Sequence, residues 1–258
     1  MNYDHALSII IISYNGAAFL ERLLFSLRQL IETSNDIELI VVDNNSTDST
    51  GEVLSKWQLL FREQLTIITS SKNLGVAGGR KLGIESSSGK FIMLLDNDTI
   101  VTKEAILELR SYLENNPICG VVAPALYSLS GELQESAKPF PGIGIKLRNI
   151  LINRFRTSPI NYGECRLIHP YYVIGACQIF RKTTYNQIGG LDTNIFYGPE
   201  DADFCERVRQ AGFSIDYIQS ISIIHEWQRA TRRSLFSKLS FQHLKGLIYF
   251  YFKHRRFF

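Results

Sequence analysis

The chain has 258 residues, 45% of them hydrophobic, and 28 Lys and Arg against 25 Asp and Glu leave a net charge of only +3. That is enough apolar material for one compact core without staples, and too little positive charge for a nucleic-acid-binding polycation. Eight of the basic residues (Arg229, Arg232, Arg233, Lys238, Lys245, Lys253, Arg255 and Arg256) but only one acid, Glu226, follow His225, so the first 224 residues carry 20 basic and 24 acidic groups.

The order of elements begins with Leu7 to Ile12, an apolar, β-branched run ended by Ser13-Tyr14-Asn15-Gly16, which predicts a buried strand entering a turn. Phe19, Leu20, Leu23, Leu24 and Leu27 then recur at helical spacing. Ile37 to Val42 predicts a second strand, closed by Asp43-Asn44-Asn45-Ser46-Thr47-Asp48, and Thr50 to Leu60 a second helix. Leu65 to Thr69 predicts a third strand, Gly75 to Glu85 a third helix, and Phe91 to Leu95 a fourth strand ending in Asp96-Asn97-Asp98. A helix follows Thr102 to Asn115, and Gly120 to Ala123 resumes the sheet. The stretch from Ser128 to Pro170 has no period and reads as loops and a mobile flap. Tyr172 to Arg181 predicts one strand, and Ala202 to Ala211 a helix with Gly212 at its end.

Strands alternating with helices, each strand nearly all apolar, predict an α/β fold with a mostly parallel central sheet covered on both faces. Ligands bind such sheets beyond the carboxyl ends of the strands, so Ser13 to Asn15, Asp43 to Asp48 and Asp96 to Asp98 are expected to line one crevice. The cysteines Cys119, Cys165, Cys177 and Cys205 match neither zinc spacing nor a disulfide scaffold and read as reduced thiols. No apolar run approaches the ~18 residues of a bilayer span. No leader pattern is evident, so a cytoplasmic location is expected.

Three groups carry candidate chemistry. Asp96 and Asp98, two apart at a strand end, suit Mg²⁺ or Mn²⁺, though Asp-Asn-Asp is also good turn chemistry. Asn73-Leu74-Gly75 with Gly78-Gly79-Arg80 opens a helix whose backbone N–H groups and guanidinium could meet a phosphate; tight helix packing explains the glycines equally well. Glu200-Asp201-Ala202-Asp203 either caps a helix or supplies a general base. His225, after the apolar run Ile221 to Ile224, is either a satisfied polar residue or a metal ligand.

This ordered series, from Ser13-Tyr14-Asn15 through Asp43 to Asp48, Asn73 to Arg80, Asp96-Asn97-Asp98 and Gly189-Gly190-Leu191-Asp192 to Glu200-Asp201-Ala202-Asp203 and Arg207, resembles the family 2 glycosyltransferases of the GT-A fold. It is most similar to the bacterial rhamnosyltransferase-type enzymes of cell-surface polysaccharide synthesis. The resemblance implies that Asp43 accepts from the base of a nucleotide-sugar donor, with Ser13, Tyr14 and Asn15 walling the nucleoside. Asn45, Asn73, Gly75 and Asn97 belong to the same surround. Arg80 approaches the diphosphate or base, and Asp96 faces the ribose and sugar and contributes to the metal group. Asp98 and His225 ligate a divalent cation, Mn²⁺ or Mg²⁺. Asp201 is the catalytic base and Glu200 positions a sugar. The implied reaction is a metal-dependent, inverting transfer to a saccharide or lipid-linked saccharide acceptor. A sugar nucleotidyltransferase and a non-catalytic nucleotide-sugar-binding module are the alternatives.

Residues 1–225 thus read as the catalytic domain and 226–258 as a basic, aromatic helical extension. In it Phe241, Leu244, Ile248 and Tyr251 recur at helical spacing, a stripe expected to face inward if the helix packs on the catalytic domain. Packing on the catalytic domain and attachment to an anionic membrane at the cytoplasmic face of the inner membrane are both compatible with that pattern. Homo-oligomerisation through the tail carries no signal either way, and no nucleic-acid partner is expected.

Overall fold

The structure is a computed structural model and describes residues 3–140, 142, 167–226 and 238–255. β1 (His5–Ser13), α1 (Ala17–Thr33), β2 (Ile37–Asp43), α2 (Thr50–Phe61), β3 (Leu65–Thr69), α3 (Gly75–Glu85) and β4 (Gly89–Asp96) follow one another as alternating strands and helices. β5 (Thr99–Ile100), α4 (Lys103–Asn115) and β6 (Cys119–Tyr127) come next, then the short strands β7 (Leu133–Gln134), β8 (Ala137–Lys138), β9 (Leu167–Ile168) and β10 (Tyr172–Val173). β11 (Cys177–Arg181), α5 (Lys182–Gln187), α6 (Glu200–Gln210), β12 (Ser214–His225) and α7 (Lys238–His254) complete the described chain.

The main sheet runs in the order β3-β2-β1-β4-β11-β6-β12-β5. β3, β2, β1 and β4 pair in parallel, as do β6 and β12, while β11 is antiparallel to both β4 and β6. Alternating residues of each strand feed two cores. Leu7, Ile9 and Ile11 of β1 pack with Leu20, Leu23 and Leu27 of α1, Trp57 of α2 and Leu109 of α4, whereas Ile10 packs on the other face with Ile84 of α3 and Phe204 and Val208 of α6. Burial on both faces explains why these strands are apolar at successive positions.

Two local expectations are corrected. The single strand over Tyr172 to Arg181 is two strands in two sheets, because the chain turns where the Gly175 carbonyl accepts from Arg80 Nη2 at 2.7 Å. Within Ser128 to Pro170, residues Leu133–Gln134 and Ala137–Lys138 are strands rather than loop, and Leu167–Ile168 pairs with β12. Residues 143–166, most of the expected flap, lie outside the described residues.

The tail helix α7 packs on the body: Leu247, Phe250 and Tyr251 are buried, and Gly246 lies against the Gly198 carbonyl. Lys253 Nζ stands 2.7 Å from both Asp192 and Asp203, and His254 Nε2 is 2.8 Å from Asp203. The helix is rotated from the expected orientation. Phe241, Leu244 and Ile248 point outward, and of that series Tyr251 alone is inward, because the body receives a different set of side chains. Arg229, Arg232 and Arg233 lie outside the described residues.

Candidate active site

The register of the parallel strands assembles the site. Ser13 stands opposite Asp43 across β1 and β2, and Ile12 opposite Asp96 across β1 and β4, so the three polar strand ends meet at one edge of the sheet. Asn15 and Asn45 take left-handed backbone at φ 50° and 72°, a conformation that Asn tolerates better than most residues. Their loops interlock: the Thr47 N–H donates to Asn15 Oδ1 at 2.7 Å and the Asn15 N–H donates to Ser46 Oγ at 3.0 Å. Asp43, nearly buried, accepts from the Ser46 N–H at 2.9 Å, and Asn97 Nδ2 donates to Ser13 Oγ at 3.1 Å. Tyr14 is exposed beside them.

Three N–H groups at the start of α3 have partners within the chain. Leu74 N–H donates to Asn44 Oδ1, Gly75 N–H to Asn73 Oδ1 and Val76 N–H to the Phe196 carbonyl, at 2.8, 2.9 and 2.8 Å. Asn73 and Gly75 therefore build an internal helix cap. Gly75 is required there: its φ is +73° and an added Cβ would lie 2.2 Å from the Phe196 oxygen.

Arg80 is likewise turned inward. Only 3% exposed, it places Nη2 at 2.6 Å from Asp96 Oδ1 and Nη1 at 3.5 Å from Glu200 Oε1. Burial opposes its charge, but Asp96, Glu200 and Asp201 outweigh this and hold its pKa above the usual value. One guanidinium thus joins the end of β4 to the start of α6.

On one side of that link, Asp96, Asp98 and His225 offer ligand atoms within 4.8 Å of one another. β12 returns to pair with β5, His225 opposite Thr99, and the Glu226 N–H donates to the Asp98 carbonyl at 2.8 Å. This places His225 Nε2 at 3.3 Å from Asp98 Oδ1. Burial opposes charge on the imidazole, yet Asp98 and then Asp96 raise its pKa above the ordinary one. Gln134, which sequence reasoning missed, grips the same histidine twice. Its Nε2 donates to the His225 carbonyl at 2.7 Å, which turns its Oε1 to His225 Nδ1 at 2.8 Å. An amide oxygen only accepts, so Nδ1 carries a proton and Nε2 faces the aspartates, the orientation a metal-binding histidine needs. Two carboxylates and an imidazole suit a divalent cation of mixed oxygen and nitrogen preference.

On the other side, Glu200 and Asp201 form the first turn of α6. Glu200 is 8% exposed, its Oε2 has no hydrogen-bond partner among the described residues, and burial, with Asp201 alongside, pushes its pKa up to about 7 against the pull of Arg80. Asp201 is half-buried and its Oδ1 accepts from the Ala202 N–H at 2.7 Å. Tyr197 was also missed. Burial first, then the nearby charges of Glu200, Asp96, Asp201 and Asp98, push its phenol up to about 12, which marks it as a neighbour of all four acids. Asp203 belongs elsewhere: it is fully buried, pairs with Arg207 within α6, and anchors α7 through Lys253 and His254.

The model of Glycosyl transferase family 2 matches residues 8–188, and that of the N-terminal domain of galactosyltransferase matches 161–230. The Haloferax volcanii low-salt glycan biosynthesis hexosyltransferase Agl10 is 25% identical over 228 residues, covering 85% of this chain and 66% of the relative. An N-acetylglucosaminyl-diphospho-decaprenol L-rhamnosyltransferase of Mycobacterium tuberculosis is 23% identical over 270 residues, covering 96% and 85%. Among solved structures, the Pyrobaculum calidifontis mannosyltransferase PcManGT, in complex with GDP-Man and Mn²⁺, superimposes with a TM-score of 0.63 at 17% identity, covering 89% of this chain and 61% of that one. Such likenesses establish the GT-A fold. The chain spans just under two thirds of the length of Agl10 and of PcManGT.

Proposed function

The chain belongs to glycosyl transferase family 2, and from that premise we propose that it transfers a sugar, with inversion, from a nucleotide-diphosphate donor to a lipid-linked saccharide. The observation that carries this reading is the pairing of two acid groups through one buried guanidinium: Asp96, Asp98 and His225 on one side of Arg80, Glu200 and Asp201 on the other. Asp43, Tyr14 and Asn15 stand at the neighbouring strand ends, where a nucleoside would lie. Asp96, Asp98 and His225 would hold a divalent cation, which when bound would supply positive charge for the leaving diphosphate. The imidazole beside two carboxylates favours Mn²⁺ over Mg²⁺.

In the proposed step the acceptor hydroxyl oxygen attacks the anomeric carbon from the face opposite the diphosphate. A C–O bond forms to the acceptor, the C–O bond to the diphosphate breaks with its electron pair, and Asp201 takes the hydroxyl proton. Asp201 suits this role because it is the more exposed acid of the pair. Glu200, buried and tied to Arg80, fixes the start of α6 and faces the sugar. The mycobacterial relative, whose name specifies rhamnose and a decaprenyl-linked acceptor, supports dTDP-rhamnose as the first donor to try. It also supports a place in cell-surface polysaccharide synthesis.

Thermal-shift titration with UDP-, dTDP- and GDP-sugars, each with Mn²⁺, tests donor binding, because a ligand of the folded state raises the melting temperature by mass action. One donor class is expected to stabilise the wild type and to lose most of its effect in Asp98→Ala. Turnover should release a nucleoside diphosphate; release of pyrophosphate would replace this reading with a nucleotidyltransferase.

A further inference from the structure

α7 is apolar on two opposite faces. Its inward face, with Leu247, Phe250 and Tyr251, is buried against the body. On its outward side Phe241, Leu244, Ile248 and Phe252 are 67%, 53%, 49% and 70% exposed. At 3.6 residues per turn these four fall within roughly 80° of one another, along a line of about 16 Å. Lys245 lies beside them, and Lys238 and Arg255 stand at the two ends, all three exposed. The helix contains no Asp or Glu, and its remaining lysine, Lys253, is spent on Asp192 and Asp203.

We propose that the outward face of α7 docks on an anionic membrane surface and so holds the catalytic body at the plane where a lipid-linked acceptor lies. The choice of acceptor rests on the glycosyltransferase reading; the docking does not. Three observations favour lipid as the occupant. An apolar stripe with aromatic ends and flanking cations, free of acids, is the pattern of a helix lying in a headgroup layer. The chain is polarised, with the basic excess after His225 and a slightly acidic body before it, so an anionic surface attracts the tail and repels the body, and this sets one orientation. Finally, the four side chains expose on the order of 400 Å², about half of what each partner contributes to a standard protein interface, which is small for a stable dimer.

The position of the stripe gives the docking its use. Gly246 sits against Gly198, two residues before Glu200, with a Cβ on Gly246 reaching 2.5 Å from the Gly198 oxygen. The membrane face is therefore the back of the helix that supports the acid pair. Among the described residues no helix is long and apolar enough to cross a membrane, so the contact is lateral.

Flotation of the full chain with vesicles of phosphatidylglycerol and phosphatidylethanolamine, against phosphatidylcholine vesicles, tests this. Binding is expected on the anionic vesicles, at least about tenfold above the neutral ones, and should fall in about 0.5 M salt. The double variant Phe241→Ser, Leu244→Ser should lose about tenfold of that binding, and Lys245→Glu severalfold, both with wild-type circular dichroism and melting temperature because these side chains lie on the exposed side of the helix. Failure of the intact chain to bind at low salt, or equal binding by the variants, overturns the proposal. So does a dimer in sedimentation velocity that the serine variants dissolve, which would assign the stripe to a second copy. Vesicle binding as expected with no stabilisation by any nucleotide sugar would uphold the docking and defeat the glycosyltransferase reading.

Discussion

Replacing Arg80 by Met tests the central link of the site. The guanidinium is 3% exposed and serves Asp96, Glu200 and the Gly175 carbonyl at once. Removing one partner of a buried ion pair costs about 3–5 kcal/mol. Asp96 keeps 36% of its side chain exposed and can be rehydrated, so the lower end, roughly 3 kcal/mol, applies here. For a chain of this size that is a fall in melting temperature of about 6 °C. The loss should depend on pH. Glu200 sits at about 7 rather than 4.5, so between those values the folded state holds a proton that the unfolded chain releases. The carboxylate therefore costs nothing below the unfolded pKa, and its destabilisation accumulates as pH rises from about 4.5 and is complete once pH has passed about 7. Without Arg80 the folded-state pKa moves higher still and the cost above neutrality grows. Calorimetry with chelator present should show a drop of about 6 °C near pH 8 and about half of that near pH 5.5. An equal drop at both, or less than about 2 °C near pH 8, would refute the view that Arg80 compensates Glu200.

Asp201→Asn should leave donor affinity within about threefold of wild type in calorimetric titration while lowering single-turnover transfer by about 10²–10⁴-fold; transfer near wild type removes Asp201 from the role of base. Gln134→Leu should weaken Mn²⁺ binding, read from the spin resonance of free Mn²⁺, by about 10–100-fold, because His225 loses the acceptor that fixes its proton on Nδ1. Gln134→Glu, which still offers that acceptor, should recover most of the affinity, and equal affinities in all three proteins would exclude the positioning role. Gly83→Ala would place a Cβ 2.5 Å from Ile10 Cγ2, so overpacking between α3 and β1 should cost about 1–3 kcal/mol in denaturant melts. A neutral effect would mean that α3 is free to shift on the sheet.

The strand and helix series from β1 to α4 is legible in the residues because burial on both faces of a parallel sheet demands runs such as Ile9-Ile10-Ile11, and a helix over it demands Leu20, Leu23, Leu24 and Leu27. Polar strand ends likewise announce one crevice, and the register brings Ser13, Asp43 and Asp96 to it. Gln134 and the break at Gly175 were not legible. Gln134 lies where no periodicity exists and Gly175 inside a run that reads as a single strand, and their roles are set by His225 and Arg80, 91 and 95 positions away in the chain.

Local sequence thus determined the elements, their faces and the cluster of acids at the carboxyl edge, since periodicity and turn chemistry are properties of neighbouring residues. Tertiary structure decided which polar groups are spent internally. The N–H groups of Leu74, Gly75 and Val76 at the start of α3 go to Asn44, Asn73 and Phe196, Arg80 goes to Asp96 and Glu200, and Lys253 of the basic tail goes to Asp192 and Asp203. The tail also turned its Phe241, Leu244 and Ile248 outward. The reason is common to the first three: a donor or charge taken from water must find a partner, and which partner, or which helix face, meets the body is a fact of packing between segments that the order of residues alone does not contain.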